Sequence, residues 1–273
     1  MIKKLFIKNI FLLFCLVWVI GSFTRMANAS RCSSISNGSD AVISSNCSKL
    51  DLNGGVGSVT INSGVTVSNG FGSSDAVNII GPGISSSLAN FGEIRSAVTG
   101  GYGINNFLNS TITVISNIGS INVSGNNGYG INNETSSTIT TLNNSGTVSA
   151  GDNGIGIYSG GIIGTLNNSG TISTGAGGRG ILNNSTITTL NNSGTISAGD
   201  NGFGIRNTGT ISTLDNSGTI SVTDNGTGSA YSVNYGIINT GSITTLSNQG
   251  NITVVASGVD SSAVGIRAAF GGQ

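Results

Sequence analysis

Residues 165–181 read Thr-Leu-Asn-Asn-Ser-Gly-Thr-Ile-Ser-Thr-Gly-Ala-Gly-Gly-Arg-Gly-Ile. Nearly the same phrase stands one unit earlier, as TLNNSGTVSAGDNGIGI from Thr141, and one unit later, as TLNNSGTISAGDNGFGI from Thr189. Self-similarity at a fixed period of about 20–50 residues marks a solenoid, in which each repeat is one coil of a stack. Aligning the copies outward from this stretch gives three aliphatic columns.

The first column holds Val67, Ile94, Ile121, Val148, Ile172, Ile196, Ile220 and Ile252, at successive spacings of 27, 27, 27, 24, 24, 24 and 32 residues. Its neighbours are mostly Thr and Ser, the period-two pattern of a strand with one buried face. The second column is Val77, Ile104, Ile131, Ile157, Ile181, Ile205, Ile237 and Ile266, nearly always after glycine. The third is Ile112, Ile139, Ile163, Ile187, Ile211 and Ile243, mostly within Thr-Ile-Thr or Thr-Ile-Ser. Such strands are too short to bury their own side chains. Stacked in parallel about 4.8 Å apart, they line one continuous interior.

The expected fold is all-β: a right-handed parallel β-helix with three short strands per 24–27-residue rung. Parallel crossovers are overwhelmingly right-handed, and the six-residue repeat of the left-handed type is absent. A leucine-rich repeat is the runner-up, but each unit has one Leu and no helix-forming segment. A fourth column, Asn90, Asn117, Asn144, Asn168, Asn192, Asn216 and Asn248, suits the bends: Asn tolerates left-handed backbone angles, and stacked amides hydrogen-bond from rung to rung. A single proline, Pro82, fits a stack in which nearly every amide donates to a neighbouring coil.

The N-terminus has the pattern of an export signal. Lys3, Lys4 and Lys8 precede an apolar run from Ile10 to Ile20, and Ala27-Asn28-Ala29 offers cleavage between Ala29 and Ser30. Residues 1–29 are therefore expected to leave. The remaining chain has six basic residues, Arg31, Lys49, Arg95, Arg179, Arg206 and Arg267, against ten acidic ones, a net charge of about −4. So few cations cannot neutralise many phosphates, which argues against nucleic acid as a partner.

Cys32 and Cys47 are the cysteines left after the signal. In an exported protein such a pair is expected to form a disulfide, here within an N-terminal cap over residues 30–57, with residues 58–273 forming the repeats. A reactive or metal-binding pair is the competing reading, weakened by the absence of histidine.

An export signal followed by Gly- and Asn-rich coils of the form TLNNSGTIS…GIGI resembles the passenger region of bacterial autotransporters, over residues 58–273. That resemblance implies export through the inner membrane and residence at the cell surface, in the outer membrane or outside the cell. Without a translocator the destination would be periplasmic. It also implies partners in the export machinery, a translocator and a protein or glycan at the surface. The family's β-barrel translocator would appear as a series of about ten-residue amphipathic strands. No such series lies between Gly265-Ile266 and Gln273, where the chain stops in mid-rung, so a translocator not encoded in these residues is expected.

Passengers include adhesins, proteases and esterases, and the fold does not choose among them. With no His, a Ser-His-Asp triad is excluded. Asp152 and Asp200 lie in Ala-Gly-Asp-Asn-Gly turns two rungs apart, where an Asx hydrogen bond is the simpler role. The expectation is a protein without catalytic residues, cofactor or metal site, acting in attachment or as a rigid display stalk. A carbohydrate-active enzyme is the alternative, favoured by clustered carboxylates on one face. Ice binding is a third, suggested by Thr-x-Thr ladders but interrupted at Ile162-Ile163-Gly164.

Two further features bear on binding. Position x of Gly-x-Gly-Ile holds Tyr102, Tyr129, Ile155, Arg179 and Phe203, with Tyr235 and Val264 in diverged copies. Because x and the following Ile are two apart, they are expected to share a face, which favours corner packing over an exposed stripe. The 32-residue interval from Ile220 to Ile252 places an insertion around residues 223–234. Asp224 and Tyr231 are its candidate contact residues, since solenoid insertions are extruded from turns.

Overall fold

The structure is a computed structural model that describes residues 35–36, 40–69, 74–224, 233–257 and 261–268. It is a right-handed parallel β-solenoid. The described strands form three sheets of ten, nine and nine strands, and the chain visits them in rotation. One coil runs from Tyr129–Asn133 in the first sheet, through Thr138–Asn144 in the second, to Thr147–Ala150 in the third. Each strand pairs in parallel with the equivalent strand of the coils before and after it.

The three aliphatic columns are the core. Ile121, Val148, Ile172, Ile196 and Ile220 are fully buried, as are Ile104 through Ile237 of the second column and Ile112 through Ile211 of the third. Fully burying one such side chain stabilises by about 1.5–3 kcal/mol, and stacking repeats that gain at every rung. Burial falls off in the last described coil: Ile266 is 46% exposed, and Ile243 and Ile252 are only partly buried.

The Asn column forms an unbroken ladder of amides. Nδ2 of Asn90, Asn117, Asn144, Asn168, Asn192 and Asn216 donates to Oδ1 of the next residue in the column at 2.7–2.8 Å, ending on Asn248. The second half of its expected role belongs elsewhere. These residues close strands and make no left-handed turn, whereas Asn127, Asn153 and Asn201 of the glycine-rich turns have φ of 57°, 55° and 55°. A second ladder stands at the corner between the first two sheets, joining Asn106 to Asn133 and Asn183 through Asn207 to Asn239, each at 2.7 Å. Ser159 interrupts it and donates to the Gly161 carbonyl instead.

Within residues 30–57, the described strands already carry the three sheets. Ile35 pairs opposite Leu52, Ala41 opposite Val59 and Cys47 opposite Val67. The longer interval near the other end leaves the register intact, because Ile220 still faces Ile252 and Phe203 faces Tyr235.

Candidate binding face

The Gly-x-Gly-Ile segment decides which side chains reach solvent. A Cβ on the second glycine would meet the aliphatic residue of the third sheet across the interior: Gly130 against Val148, Gly156 against Ile172 and Gly204 against Ile220, each at 2.4 Å. That glycine therefore faces inward. The step to the following Ile is not a regular pleat, since the ladder registers Tyr102 with Tyr129 and Ile104 with Ile131 but skips the glycine between them. Position x consequently lies on the opposite side from the glycine, outside the core, where Tyr102, Tyr129, Arg179 and Phe203 are half-buried and Ile155 and Tyr235 are buried among their neighbours on the stack. This corrects the expectation that x packs inward with the Ile, an inference that assumed an unbroken two-residue alternation.

The outward x column is Asp75, Tyr102, Tyr129, Ile155, Arg179, Phe203, Tyr235 and Val264. Beside it runs a second outer column on the same strands, in which Asp51, Asn78, Asn105, Asn132, Tyr158, Leu182, Arg206, Ile238 and Arg267 follow in register. All four described tyrosines and three of the four described arginines stand on this one face. The outer positions of the other two sheets are mainly Thr, Ser and Asn.

The rings touch along the stack. Tyr102 and Tyr129 have centroids 5.1 Å apart, Tyr129 meets Tyr158 edge-on at 5.7 Å, and Phe203 stacks on Tyr235 at 5.6 Å. The guanidinium groups of Arg179 and Arg206 each lie 5.6 Å from the Phe203 ring, and that of Arg267 lies 5.7 Å from Tyr235. Arg267 Nη1 also donates to the Tyr235 hydroxyl at 2.8 Å. These contacts hold long side chains in place and lower the entropy they would lose on meeting a partner.

Charge is segregated along the same face. Toward the N-terminal coils, Tyr102, Tyr129, Asn132, Glu134, Thr135 and Tyr158 line a hollow of about 240 Å³. A chain of amides links its one carboxylate, Glu134, to Asp75 outside it: Asn105 Nδ2 donates to Asp75 at 3.4 Å, while Asn132 Nδ2 donates to Asn105 Oδ1 at 2.8 Å and reaches Glu134 Oε1 at 3.4 Å. Burial raises the Glu134 pKa, the negative field of Asp75 adds to that, and the Asn132 hydrogen bond opposes both. Burial also raises Tyr102, reinforced by Tyr129, Asp75 and Glu134.

Toward the C-terminal coils the sign reverses. Burial, and then the positive charge of Arg206, lowers the Arg179 pKa. Arg179 Nε is buried without a hydrogen-bond partner. Among the described residues the one ion pair is Lys49 with Asp51 at 3.4 Å, so Arg179, Arg206 and Arg267 have no carboxylate against them.

The residues singled out from sequence are distributed as follows. Cys47 is buried and disulfide-bonded; Cys32, Ala29, Ser30 and Tyr231 lie outside the described residues. Asp224 is 6% exposed, its carboxylate accepts the Ser257 amide at 3.1 Å, and its carbonyl accepts the Ser257 hydroxyl at 3.3 Å. Asp224 thus ties its own turn to the next coil. Asp152 does similar work, accepting the Ala176 amide of the following coil at 3.0 Å. The hydroxyl ladder of the second sheet is broken by Ile162, 48% exposed in register between Thr138 and Thr186. Among the described residues, no group of three or more His, Cys, Asp or Glu could hold a metal ion, and no helix is long and apolar enough to cross a membrane.

The second outer column, with Glu134 beside it, escaped the sequence reading. Its occupants change from Asn to Tyr, Leu, Arg and Ile, so it has no repeated residue; its only signal is a constant offset of one after the Ile of Gly-Ile. No family model, curated protein or solved structure matches the chain.

Proposed function

We propose that the chain is an exported, non-catalytic β-solenoid of autotransporter passenger type that acts in attachment at the bacterial cell surface. The aromatic and arginine-bearing face of the first sheet is its contact surface. The observation that carries this reading is the segregation of Tyr102, Tyr129, Tyr158, Phe203, Tyr235, Arg179, Arg206 and Arg267 onto one face of an otherwise Thr-, Ser- and Asn-coated rod. Tyr and Arg are the side chains that dominate binding energy when they become desolvated. A solenoid supplies a rigid, extended platform for them. Export rests on the pattern of residues 1–29, and the surface destination on the resemblance of the repeats.

The test is adhesion of cells displaying the chain to protein- and glycan-coated surfaces and to one another. Tyr129→Ala and Phe203→Ala should each reduce attachment, while Thr113→Ala on the second sheet should not. Equal attachment by all of these variants would remove the face from the function.

One observation favours a second reading. Glu134, with its raised pKa, lies in a tyrosine-lined hollow within the field of Asp75, a setting that suits a general acid in a carbohydrate-active site. Release of reducing ends from a polysaccharide by the parent, abolished by Glu134→Gln, would replace the attachment reading with this one.

A further inference from the structure

The hollow beside Tyr129 lies where the second outer column changes character: Asn78, Asn105 and Asn132 precede Tyr158 in register. The short, buried Asn132 side chain leaves a notch, and the long Tyr158 side chain of the next coil closes it on one side. Tyr102 and Tyr129 of the x column, with Glu134 and Thr135 just past the strand Tyr129–Asn133, complete the lining. The rings are inclined to one another, by 39° between Tyr102 and Tyr129 and by 75° between Tyr129 and Tyr158. They therefore offer no single flat platform of the sort on which a sugar ring stacks. Tyr158 is held from the following coil, its hydroxyl accepting Asn184 Nδ2 at 3.3 Å.

The charge of the hollow selects the kind of ligand. Glu134 accepts from Asn132 at 3.4 Å and pairs with no Lys or Arg among the described residues. The negative charge of Asp75 acts on both Glu134 and Tyr102. A neutral ligand leaves this field uncompensated, whereas a cation offsets it. A hard metal ion needs about six or more oxygens, and among the described residues no group of three or more His, Cys, Asp or Glu is available to one. A primary ammonium is strongly hydrated and brings three donors that the three rings cannot satisfy. A quaternary ammonium has no donor to satisfy, and aromatic rings within about 6 Å attract it through their quadrupoles. The volume of about 240 Å³ is below the roughly 300–1,000 Å³ of sites for drug-sized ligands, so the hollow suits a headgroup.

We propose that this hollow binds a quaternary ammonium headgroup of the choline type, with Tyr102, Tyr129 and Tyr158 as its aromatic walls and Glu134 as its counter-charge. The site rests on the reading of the face as the contact surface and gives its N-terminal half a ligand chemistry. The ring contacts and the Asn184 hydrogen bond fix the walls before the ligand arrives, which lowers the entropy lost on binding. Tyr102, Tyr129, Glu134 and Tyr158 are each half-buried, so the hollow is open to a headgroup arriving from solvent.

The experiment is calorimetric titration of the full chain with choline chloride. Choline should bind saturably, and about tenfold more tightly than either ethanolamine or dimethylbutanol, its neutral carbon isostere. Glu134→Gln keeps an oxygen that accepts from Asn132 and removes the charge, so it should weaken choline by about tenfold with an unchanged β circular dichroism spectrum. Tyr158→Asn continues its column with the residue of the three preceding coils, so the stack should still form, and choline should weaken to a similar extent. Phe203→Ala, on the C-terminal half of the face, should leave choline affinity unchanged. Absence of saturable binding, dimethylbutanol or ethanolamine binding as tightly as choline, or full affinity in Glu134→Gln would each overturn the site. Cosedimentation with phosphatidylcholine and phosphatidylglycerol vesicles separates the sources of the headgroup. Retention on the first alone, released by choline, assigns it to a lipid surface; binding of choline without retention assigns it to a soluble choline compound. If choline binds as expected while cells displaying Tyr129→Ala attach like the parent, the site stands and the attachment reading fails. If choline does not bind but Tyr129→Ala loses attachment, the site fails and the face has a different partner.

Discussion

Gly180 faces Ile196 across the solenoid interior so closely that a Cβ on the glycine would lie 2.5 Å from Ile196 Cγ2. The same relationship recurs between Gly156 and Ile172 and between Gly204 and Ile220. The glycine is thus a spacing requirement: it lets the first sheet approach the third at their shared corner. Gly180→Ala should overpack the core and destabilise by about 1–3 kcal/mol, read as a lower denaturation midpoint. Pairing it with Ile196→Ala should cost somewhat less than the sum of the two changes, because the methyl loses its clash with the isoleucine but still lies 2.6 Å from the Gly204 carbonyl oxygen of the next coil. Additive losses would mean that the two residues do not compete for space.

Asn168 sits inside the long amide ladder, accepting from Asn144 at 2.8 Å and donating to Asn192 at 2.7 Å and to the Thr195 carbonyl at 3.1 Å. Asn168→Ala takes one of the two acceptors of Asn144 Nδ2, which keeps the Thr171 carbonyl, and leaves Asn192 Oδ1 without its donor in a dry corner. The expected cost is about 1–3 kcal/mol for the orphaned oxygen. Asn248→Ala, at the exposed end of the same ladder, orphans only Asn216 beside solvent and should cost markedly less. Equal midpoints for the two variants would refute the ladder as a buried network.

The raised pKa of Glu134 has a defined sign in stability. Below its ordinary pKa of 4.5 the group is protonated in both folded and unfolded chains. As the pH rises above 4.5, the unfolded chain releases the proton first. The folded state then holds more protons, and stability falls until the folded pKa is passed. Over that window the thermal midpoint of the parent should decline relative to that of Glu134→Gln. A parent that gains on the variant as the pH rises would indicate a depressed pKa.

Cys47 is disulfide-bonded in the first coil, opposite Val67. The expected partner is Cys32, and a non-reducing peptide map of the exported protein should recover the two cysteines in one cross-linked species. Reduction should lower stability by up to about 3 kcal/mol, the scale of closing a loop of this length. Two free thiols would contradict both expectations.

The insertion between the strands Thr219–Thr223 and Val233–Asn239 leaves the ladder register undisturbed, so residues 225–232 should be removable at little cost. Asp224 is different, because its carboxylate holds Ser257. Asp224→Ala should raise amide exchange around Ser257, whereas deleting 225–232 should not. If attachment is also unchanged by the deletion, Tyr231 has no part in it.

What the sequence by itself determined is what repeats. Ile172, Ile196 and Ile220 recur at one spacing because each must be buried by its neighbour above and below, and Asn168 recurs because its amide pairs with the amides of the coils on either side. A physical need shared by every rung leaves a period that can be read without coordinates. The tertiary structure alone decided what does not repeat. The inward turn of Gly180, and with it the outward turn of Arg179, follows from a broken pleat that no alternation rule anticipates. Tyr158, Arg206 and Arg267 share a column with Asn105 only through strand register, and their chemistries differ. Core positions are constrained by identical neighbours, so they converge on one residue type. Outer positions meet solvent or a partner and are free to differ from coil to coil, so only stacking reveals that they form one surface.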